Sequence, residues 1–383
     1  MVIRTPVVRS TALSDRFGGD VVLKAESLQR TGSFKLRGAL SKLAALGDEA
    51  AHGVTAGSAG NHAQALAFAA RHRGVACEIF VPAGTPLSKM AGCREHGASV
   101  VEGGATLDEA MRSARERAAE AGMAFCHPFD DVDVIAGQAT VGRELVADID
   151  HLRRVIVPLG GGGLAAGVAS VLKHHDPRIE VIGVQAAACG PYGGRPAHDG
   201  PVVTLADGIA VKHPGAITRP LVEALLDDVV VVDEDSIADA MMLLIERSKL
   251  SVEGAGAVGV AALLGGQVGP AATGSTCIVL SGGNVDLGVL PGLIRRHETQ
   301  AGRRITVFAR IGDRPGELAR LLQILAGHGA NLLEVEHVRE GIDLHVRETG
   351  VQAVLEVRSH VHGETVIAAA RHAGYDLERV RHR

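Results

Sequence analysis

A lysine in the first turn of a helix sits where the backbone already carries partial positive charge. In Thr31-Gly32-Ser33-Phe34-Lys35-Leu36-Arg37-Gly38 the Ser33 hydroxyl is expected to cap a helix beginning at Phe34, which puts Lys35 in that position. Partial burial and the helix dipole would lower its pKa and leave part of it as free amine, the form that Schiff-base chemistry needs. The plain alternative is a solvated lysine at a helix start, and the segment alone does not choose between them.

Three further turns follow strand-like runs. Gly57-Ser58-Ala59-Gly60-Asn61-His62 offers successive backbone N–H groups and an amide side chain. It either holds a carboxylate or phosphate at a helix N-terminus or is a tight turn with Asn61 as a cap. In Pro158-Leu159-Gly160-Gly161-Gly162-Gly163-Leu164 four glycines let the backbone wrap a phosphate. Gly161-x-Gly163-x-x-Ala166 also satisfies a dinucleotide pattern, but Gln185 stands where a ribose-binding carboxylate is wanted, which weakens an NAD reading. No GxxxxGK[ST] is present. Leu280-Ser281-Gly282-Gly283-Asn284 ends a strand and would aim the Ser281 hydroxyl into the same crevice, although alone it reads as a turn serine. The 18 histidines include no HExxH, and no metal is expected.

The elements that must position these residues alternate from residue 20 to about 285. Strands are expected at Val21–Lys24, Val54–Ala56, Cys77–Val81, Ser99–Glu102, Val155–Pro158, Glu180–Val184, Val229–Val232 and Thr276–Leu280, with helices such as Phe34–Leu46, His62–His72, Leu107–Ala121, Leu164–His174 and Ser236–Ser248 between them. This is an α/β pattern of parallel sheets covered by helices, with ligands beyond the carboxyl ends of the strands. A polar connector, Arg295–Arg304, places a domain boundary near residue 300. Residues 303–383 then read strand, helix, strand, strand, helix, strand, the ferredoxin-like βαββαβ order.

Composition narrows the classes. A chain of 383 residues with net charge −5 and no basic run lacks the footprint of a nucleic-acid binder. Aromatics make up 2% and glycines number 49, favouring tight turns around a small ligand over stacking surfaces. Five scattered cysteines indicate neither a disulfide framework nor zinc, and a reducing cytoplasm is expected. The uncharged stretch from Glu253 to Asp286 is broken by glycines and polar residues and reads as buried loop and helix, not a membrane span; the N-terminus lacks a signal-peptide apolar run.

Taken together, Ser33-Phe34-Lys35-Leu36-Arg37-Gly38, Ser58-Ala59-Gly60-Asn61-His62-Ala63-Gln64, the Gly160–Gly163 loop and Ser281-Gly282-Gly283-Asn284 resemble the threonine/serine dehydratases of the fold-type II pyridoxal-phosphate enzymes. Order and spacing match over nearly 300 residues, and Asp207-Gly-Ile-Ala-Val-Lys-His-Pro-Gly215 and Glu253-Gly-Ala-Gly-Ala257 look like landmarks of the same family. The resemblance implies a two-lobed catalytic domain over residues 1–300, with a small lobe nested at about 40–140. It implies that Lys35 attaches the cofactor and then serves as base at the substrate α-carbon, with Phe34 beside the cofactor ring. Asn61 would bond its 3′-oxygen, Gly160, Gly161, Gly162, Gly163 and Leu164 its 5′-phosphate, and Ser58, Ala59, Gly60 and His62 the substrate carboxylate. Ser281 would face the pyridine nitrogen, where a hydroxyl leaves the nitrogen unprotonated and favours β-elimination over transamination. Threonine would then yield 2-oxobutanoate and ammonia, and serine pyruvate and ammonia.

Departures within the family sharpen this. Leu36 stands where cysteine and threonine synthases place Asp, and Ala59 where serine racemases place a second serine, so elimination is favoured over replacement and racemisation. Gln185 replaces a Glu that helps those racemases hold a divalent cation, so no Mg²⁺ is expected. Gly312-Asp313-Arg314-Pro315-Gly316-Glu317-Leu318 with Gly329-Ala330-Asn331-Leu332 resembles an ACT domain. That implies an amino-acid effector, isoleucine or valine, bound near Asp313, Gly316, Asn331 and Leu332 at a subunit interface, in a homodimer or homotetramer. The competing readings are a dimerisation-only domain, a serine-preferring dehydratase or racemase, and an inert amino-acid sensor; a sensor has no need of Lys35.

Overall fold

The computed structural model describes residues 1–194, 202–339 and 344–380. They divide into two compact units, Met1–Asp286 and Leu287–Arg383. The division lies between residues 286 and 287, and the connector falls in the second unit, where the helix Leu290–Gln300 that holds its first part contacts the strand Arg304–Gly312.

The first unit runs β1 (Val7–Arg9), α1 (Thr11–Phe17), β2 (Asp20–Ala25), α2 (Lys35–Leu46), β3 (Val54–Gly57), α3 (Asn61–Arg73), β4 (Cys77–Val81), α4 (Leu87–Glu95), β5 (Ser99–Glu102), α5 (Leu107–Ala121), β6 (Ala124–Phe125), α6 (Val132–Asp148), β7 (Leu152–Pro158), α7 (Gly163–His175), β8 (Glu180–Ala186), α8 (Thr218–Leu225), β9 (Asp228–Val232), α9 (Glu234–Leu243), α10 (Gly254–Leu264) and β10 (Ser275–Leu280). Two sheets result. The larger has the order β1-β2-β10-β7-β8-β9 and is parallel except for β1; the smaller, β5-β4-β3-β6, is parallel throughout and inserted between β2 and β7. Strands covered on both faces need no polar alternation, and all six residues of β10 are buried. The uncharged stretch is therefore α10, a loop and β10, and among the described residues no helix is long and apolar enough to cross a membrane.

Helix α6 sets the spacing of the two helices that matter most. A Cβ on Gly137 would stand 2.5 Å from the Arg37 carbonyl and 2.6 Å from Gly38 Cα, while one on Gly167 would stand 2.6 Å from the Ile135 carbonyl. So α6 touches α2 on one side and α7 on the other, backbone against backbone. A buried ionic network reinforces the first contact: Arg37 bonds Glu26 and Glu144, and Lys24, fully buried, bonds Glu144 and the Thr5 carbonyl. Charges this deep persist only when paired and hydrogen-bonded.

Ser33 does not cap α2. The N-cap position belongs to Phe34, no side chain caps it, and the buried Ser33 hydroxyl has no partner among the described residues. The reason is backbone pairing across the chain: Ser33 forms an antiparallel bridge with Gly282, and the Phe34 N–H donates to the Ser281 carbonyl at 3.0 Å. That pairing brings the Ser281 turn against the start of the lysine helix.

The second unit contains α11 (Leu290–Gln300), β11 (Arg304–Gly312), α12 (Glu317–Gly327), β12 (Asn331–Val338), β13 (Glu348–Glu356), α13 (His360–His372) and β14 (Asp376–Arg379). Its sheet is antiparallel with the order β12-β13-β11-β14, the ferredoxin-like arrangement, over a core that includes Ile305, Val307, Leu321, Leu325, Leu355 and Ile367. Within one chain the four expected effector residues do not meet. Asn331 lies level with Glu356 and donates to it, whereas Asp313 follows Gly312, which pairs with Glu348 at the other end of the sheet. Asp313 instead pairs with Arg339 beyond the far end of β12. Helix α12 carries the chain back along the sheet, so within one chain the Asp313–Gly316 turn and Asn331–Leu332 are about one strand length apart, roughly 26 Å.

Candidate active site

Strands β7 and β10 end at Pro158 and Leu280, and beyond their carboxyl ends lies a narrow cavity of about 40 Å³. Its wall includes Phe34, Lys35, Asn61, all four glycines from Gly160 to Gly163, Leu164 and Ser281, gathered from opposite ends of the first unit. Residues expected on separate grounds thus converge on one space, where open α/β sheets bind ligands.

Lys35 opens α2. Its Nζ donates to the Pro128 carbonyl at 2.8 Å and lies 5.2 Å from the centroid of the Phe34 ring. Burial lowers its pKa to about 8, with the Glu253 carboxylate acting in the opposite direction. A minor fraction, roughly a tenth, is then free amine at pH 7.

The glycine loop leads directly into α7, whose N-cap is Gly162 and whose first turn has no side-chain cap. Uncapped N–H groups at a helix start suit a phosphate. Two of the glycines have visible causes: Gly162 has φ +95°, and a Cβ on Gly161 would stand 2.4 to 2.5 Å from the Phe129 ring. Gln185, which the dinucleotide reading would turn toward a ribose, accepts instead from the N–H groups of Tyr192 and Gly193 at 3.0 and 2.9 Å.

Of the turn before α3, Asn61 alone lines the cavity among the residues expected to bind there. Ser58 Oγ accepts from the Gly60 N–H at 3.4 Å, Ala59 is half-buried and Gly60 is exposed; α3 has no side-chain cap. The His62 imidazole is turned away. Its Nε2 bonds the Cys126 carbonyl at 3.0 Å, and burial together with the nearby Lys35 charge lowers its pKa to about 3. As the second residue of α3 it can offer only its backbone N–H to a carboxylate.

Several wall residues had no role assigned from the sequence. Glu253 is buried and accepts from Asn61 Nδ2 at 2.7 Å; burial and the Asp207 charge push its carboxyl up to about 8, against the pull of Asn61, Lys89 and Lys35. Gln138 on α6 is buried beside the cavity, and its Oε1 has no partner among the described residues. Lys89 on α4 reaches Asp207, which adjoins the wall residues Gly208 and Ile209, at 2.8 Å. The family landmark Glu253-Gly-Ala-Gly-Ala257 was the only sequence signal for Glu253; Gln138 had none.

An amine of lowered pKa, an uncapped glycine loop at a helix start, an amide and a hydroxyl on one cavity are the donor set that pyridoxal phosphate requires, and the partnerless Gln138 oxygen marks a wall awaiting a polar ligand. Residues 1–282 match the family model described as pyridoxal-phosphate dependent enzyme. The chain is 42% identical over 381 residues to the L-threonine ammonia-lyase of Geobacter sulfurreducens, covering 98% of this chain and 94% of that protein. It is 41% identical over 383 residues to the same-named enzyme of Thermotoga maritima, covering 98% and 95%. Among solved structures it is similar to a threonine deaminase from T.th., with a TM-score of 0.69 and 40% identity over 75% of this chain and 94% of that one. Maize serine racemase gives a TM-score of 0.72 and 34% identity over 78% and 94%. A lysine, a glycine loop and a serine brought to one cavity, in a chain that follows such enzymes along its whole length, place this protein in the pyridoxal-phosphate-dependent enzyme family.

Proposed function

We propose that the protein is an L-threonine ammonia-lyase that converts threonine to 2-oxobutanoate and ammonia by β-elimination of the hydroxyl, with a side activity on L-serine. What carries this reading is that the Ser281 hydroxyl shares the cavity with Lys35, as the resemblance to the dehydratases requires, in a chain aligned from end to end with L-threonine ammonia-lyases. Bound at Lys35, pyridoxal phosphate supplies the electron sink that makes loss of the substrate α-proton feasible. The N–H groups of Gly160 to Leu164 and the start of α7 would hold its phosphate, and Asn61 would orient its ring edge. Phe34 supports the lysine side of the cavity, and Ser281 offers a hydroxyl that does not protonate a ring nitrogen. Lys35, free amine in part at neutral pH, takes the α-proton at Nζ. The turn Ser58–His62 holds the substrate carboxylate through backbone N–H groups. The β-hydroxyl leaves as water by taking up the proton held at Lys35 Nζ, and hydrolysis of the released enamine by a second water gives 2-oxobutanoate and ammonia.

The test is the visible absorbance of purified protein beside Lys35→Ala, followed by L-threonine with detection of 2-oxo acids. Wild type should show a Schiff-base band and form 2-oxobutanoate; the variant should lack the band and turn over at least about 10²-fold more slowly. Pyruvate from serine without 2-oxobutanoate from threonine would replace threonine with serine as substrate. Since one methyl group is worth only about 10–200-fold in such a pocket, both products are expected in unequal amounts.

A second reading concerns the ACT-like unit. Strand β12 is the sheet edge and exposes Leu332, Leu333 and Val335. Antiparallel pairing of β12 with that of a second copy would bring Asn331 and Leu332 of one chain beside the Asp313–Gly316 turn of the other. That assembled site is our candidate for a branched-chain amino-acid effector in a homo-oligomer.

A further inference from the structure

Asn61 is held at both ends of its amide. Its Oδ1 accepts from Asn284 Nδ2 at 2.7 Å, and its Nδ2 donates to Glu253 Oε1 at 2.7 Å. Asn284 Nδ2 also donates to the Thr31 carbonyl at 2.9 Å. The direction of this chain follows from its first member, because a backbone carbonyl can only accept. Thr31 therefore requires the NH₂ of Asn284, whose second hydrogen requires the oxygen of Asn61. That leaves the NH₂ of Asn61 toward Glu253. One of its two hydrogens is used there, and the other is left for the cavity.

Glycines make the room. A Cβ on Gly282 would stand 2.3 Å from Glu253 Oε1, and a Cβ on Gly32, which has φ +72°, would stand 2.2 Å from Asn284 Oδ1. We propose that Glu253 and Asn284 are positioning residues that clamp the Asn61 amide, so that it always presents an N–H donor, never its oxygen, to the bound cofactor. Glu253 serves as an acceptor in this clamp, not as a counter-charge. Burial keeps its carboxyl largely neutral at pH 7, with Asp207, Lys89 and Lys35 as the charged groups facing it. The inference rests on family membership and the Asn61 geometry, not on which amino acid is the substrate.

The experiment uses the full-length protein, stripped of cofactor and titrated with pyridoxal phosphate, with affinity and the position of the visible band as readouts. Asn284 is exposed, so Asn284→Ala is expected to fold. Asn284→Ala and Glu253→Ala should each weaken cofactor affinity about tenfold and move the band. In an Asn61→Ala background neither should cost anything more, because the clamp acts only through Asn61. Glu253→Gln keeps an acceptor oxygen and should retain wild-type affinity and band. Additive losses in the double variants, an unchanged affinity in Asn284→Ala, or a Glu253→Gln protein as weak as Glu253→Ala would each overturn the clamp. If Glu253→Ala does not fold, Asn284→Asp, which swaps the donor for an acceptor, makes the same comparison from the other end. None of these outcomes depends on threonine turnover, so the clamp and the proposed reaction fail separately.

Discussion

Lys35 and His62 show how burial sorts two basic groups in one neighbourhood. Lys35 keeps a cavity face and a carbonyl partner and titrates near 8; His62 is enclosed against the Cys126 carbonyl and is held neutral. His127 is similar, with burial lowering its pKa to about 4. For both histidines the folded pKa lies below the ordinary one. Between about 6.5 and the folded value, about 3 for His62 and about 4 for His127, the unfolded chain therefore binds a proton that the folded chain refuses, and stability falls as pH drops through those windows. Each such group contributes a slope of up to about 1.4 kcal/mol per pH unit. His62→Gln keeps a donor for the Cys126 carbonyl and removes one titration. Denaturant unfolding at pH 4, 5, 6 and 7 should give a shallower acid-side decline than wild type; equal slopes would mean that His62 is not buried neutral.

At the scale of elements, catalytic geometry is a matter of how closely three helices approach. Helix α2 delivers Lys35, α7 delivers the glycine loop, and α6 lies between them through Gly137 and Gly167. Close-packed backbones cannot yield without displacing a whole helix. Gly137→Ala should cost about 1–3 kcal/mol of stability and also weaken cofactor binding, because the added methyl pushes against the Arg37 carbonyl within the same turn as Lys35. Thermal melts of the cofactor-free protein and a cofactor titration separate the two effects. A stability loss with full cofactor affinity would show that α2 can shift without moving its lysine.

At the scale of the whole molecule, every wall residue of the cavity precedes residue 282, so the chemistry resides in the first unit. The second unit has its own core and an exposed apolar edge strand, a surface that soluble proteins usually cover or blunt. If two copies share that edge, millimolar isoleucine or valine should raise the melting temperature and change threonine turnover. Leu333→Lys on β12 should abolish both responses and reduce the oligomer seen by light scattering. Melting and turnover indifferent to both amino acids would eliminate the effector site.

The sequence by itself determined most of the architecture, and it singled out the candidate turns of the site. Glycine-rich turns at strand ends and alternating β-branched and alanine-rich runs are local signals, so the parallel sheets and the βαββαβ unit could be read from periodicity, while Lys35, Asn61, Gly160–Gly163 and Ser281 each kept a plain structural alternative until the family resemblance joined them. The tertiary structure decided what depends on partners distant in sequence. Ser33 is taken from its cap by Gly282, His62 is turned to Cys126, and Glu253 joins the site across 192 residues through Asn61. The same holds for the separation of Asp313 from Asn331, since a helix returning along a sheet reverses which end the chain occupies. Local propensity acts over a turn or two, whereas a side chain's direction, desolvation and charge partners are set only when remote segments meet.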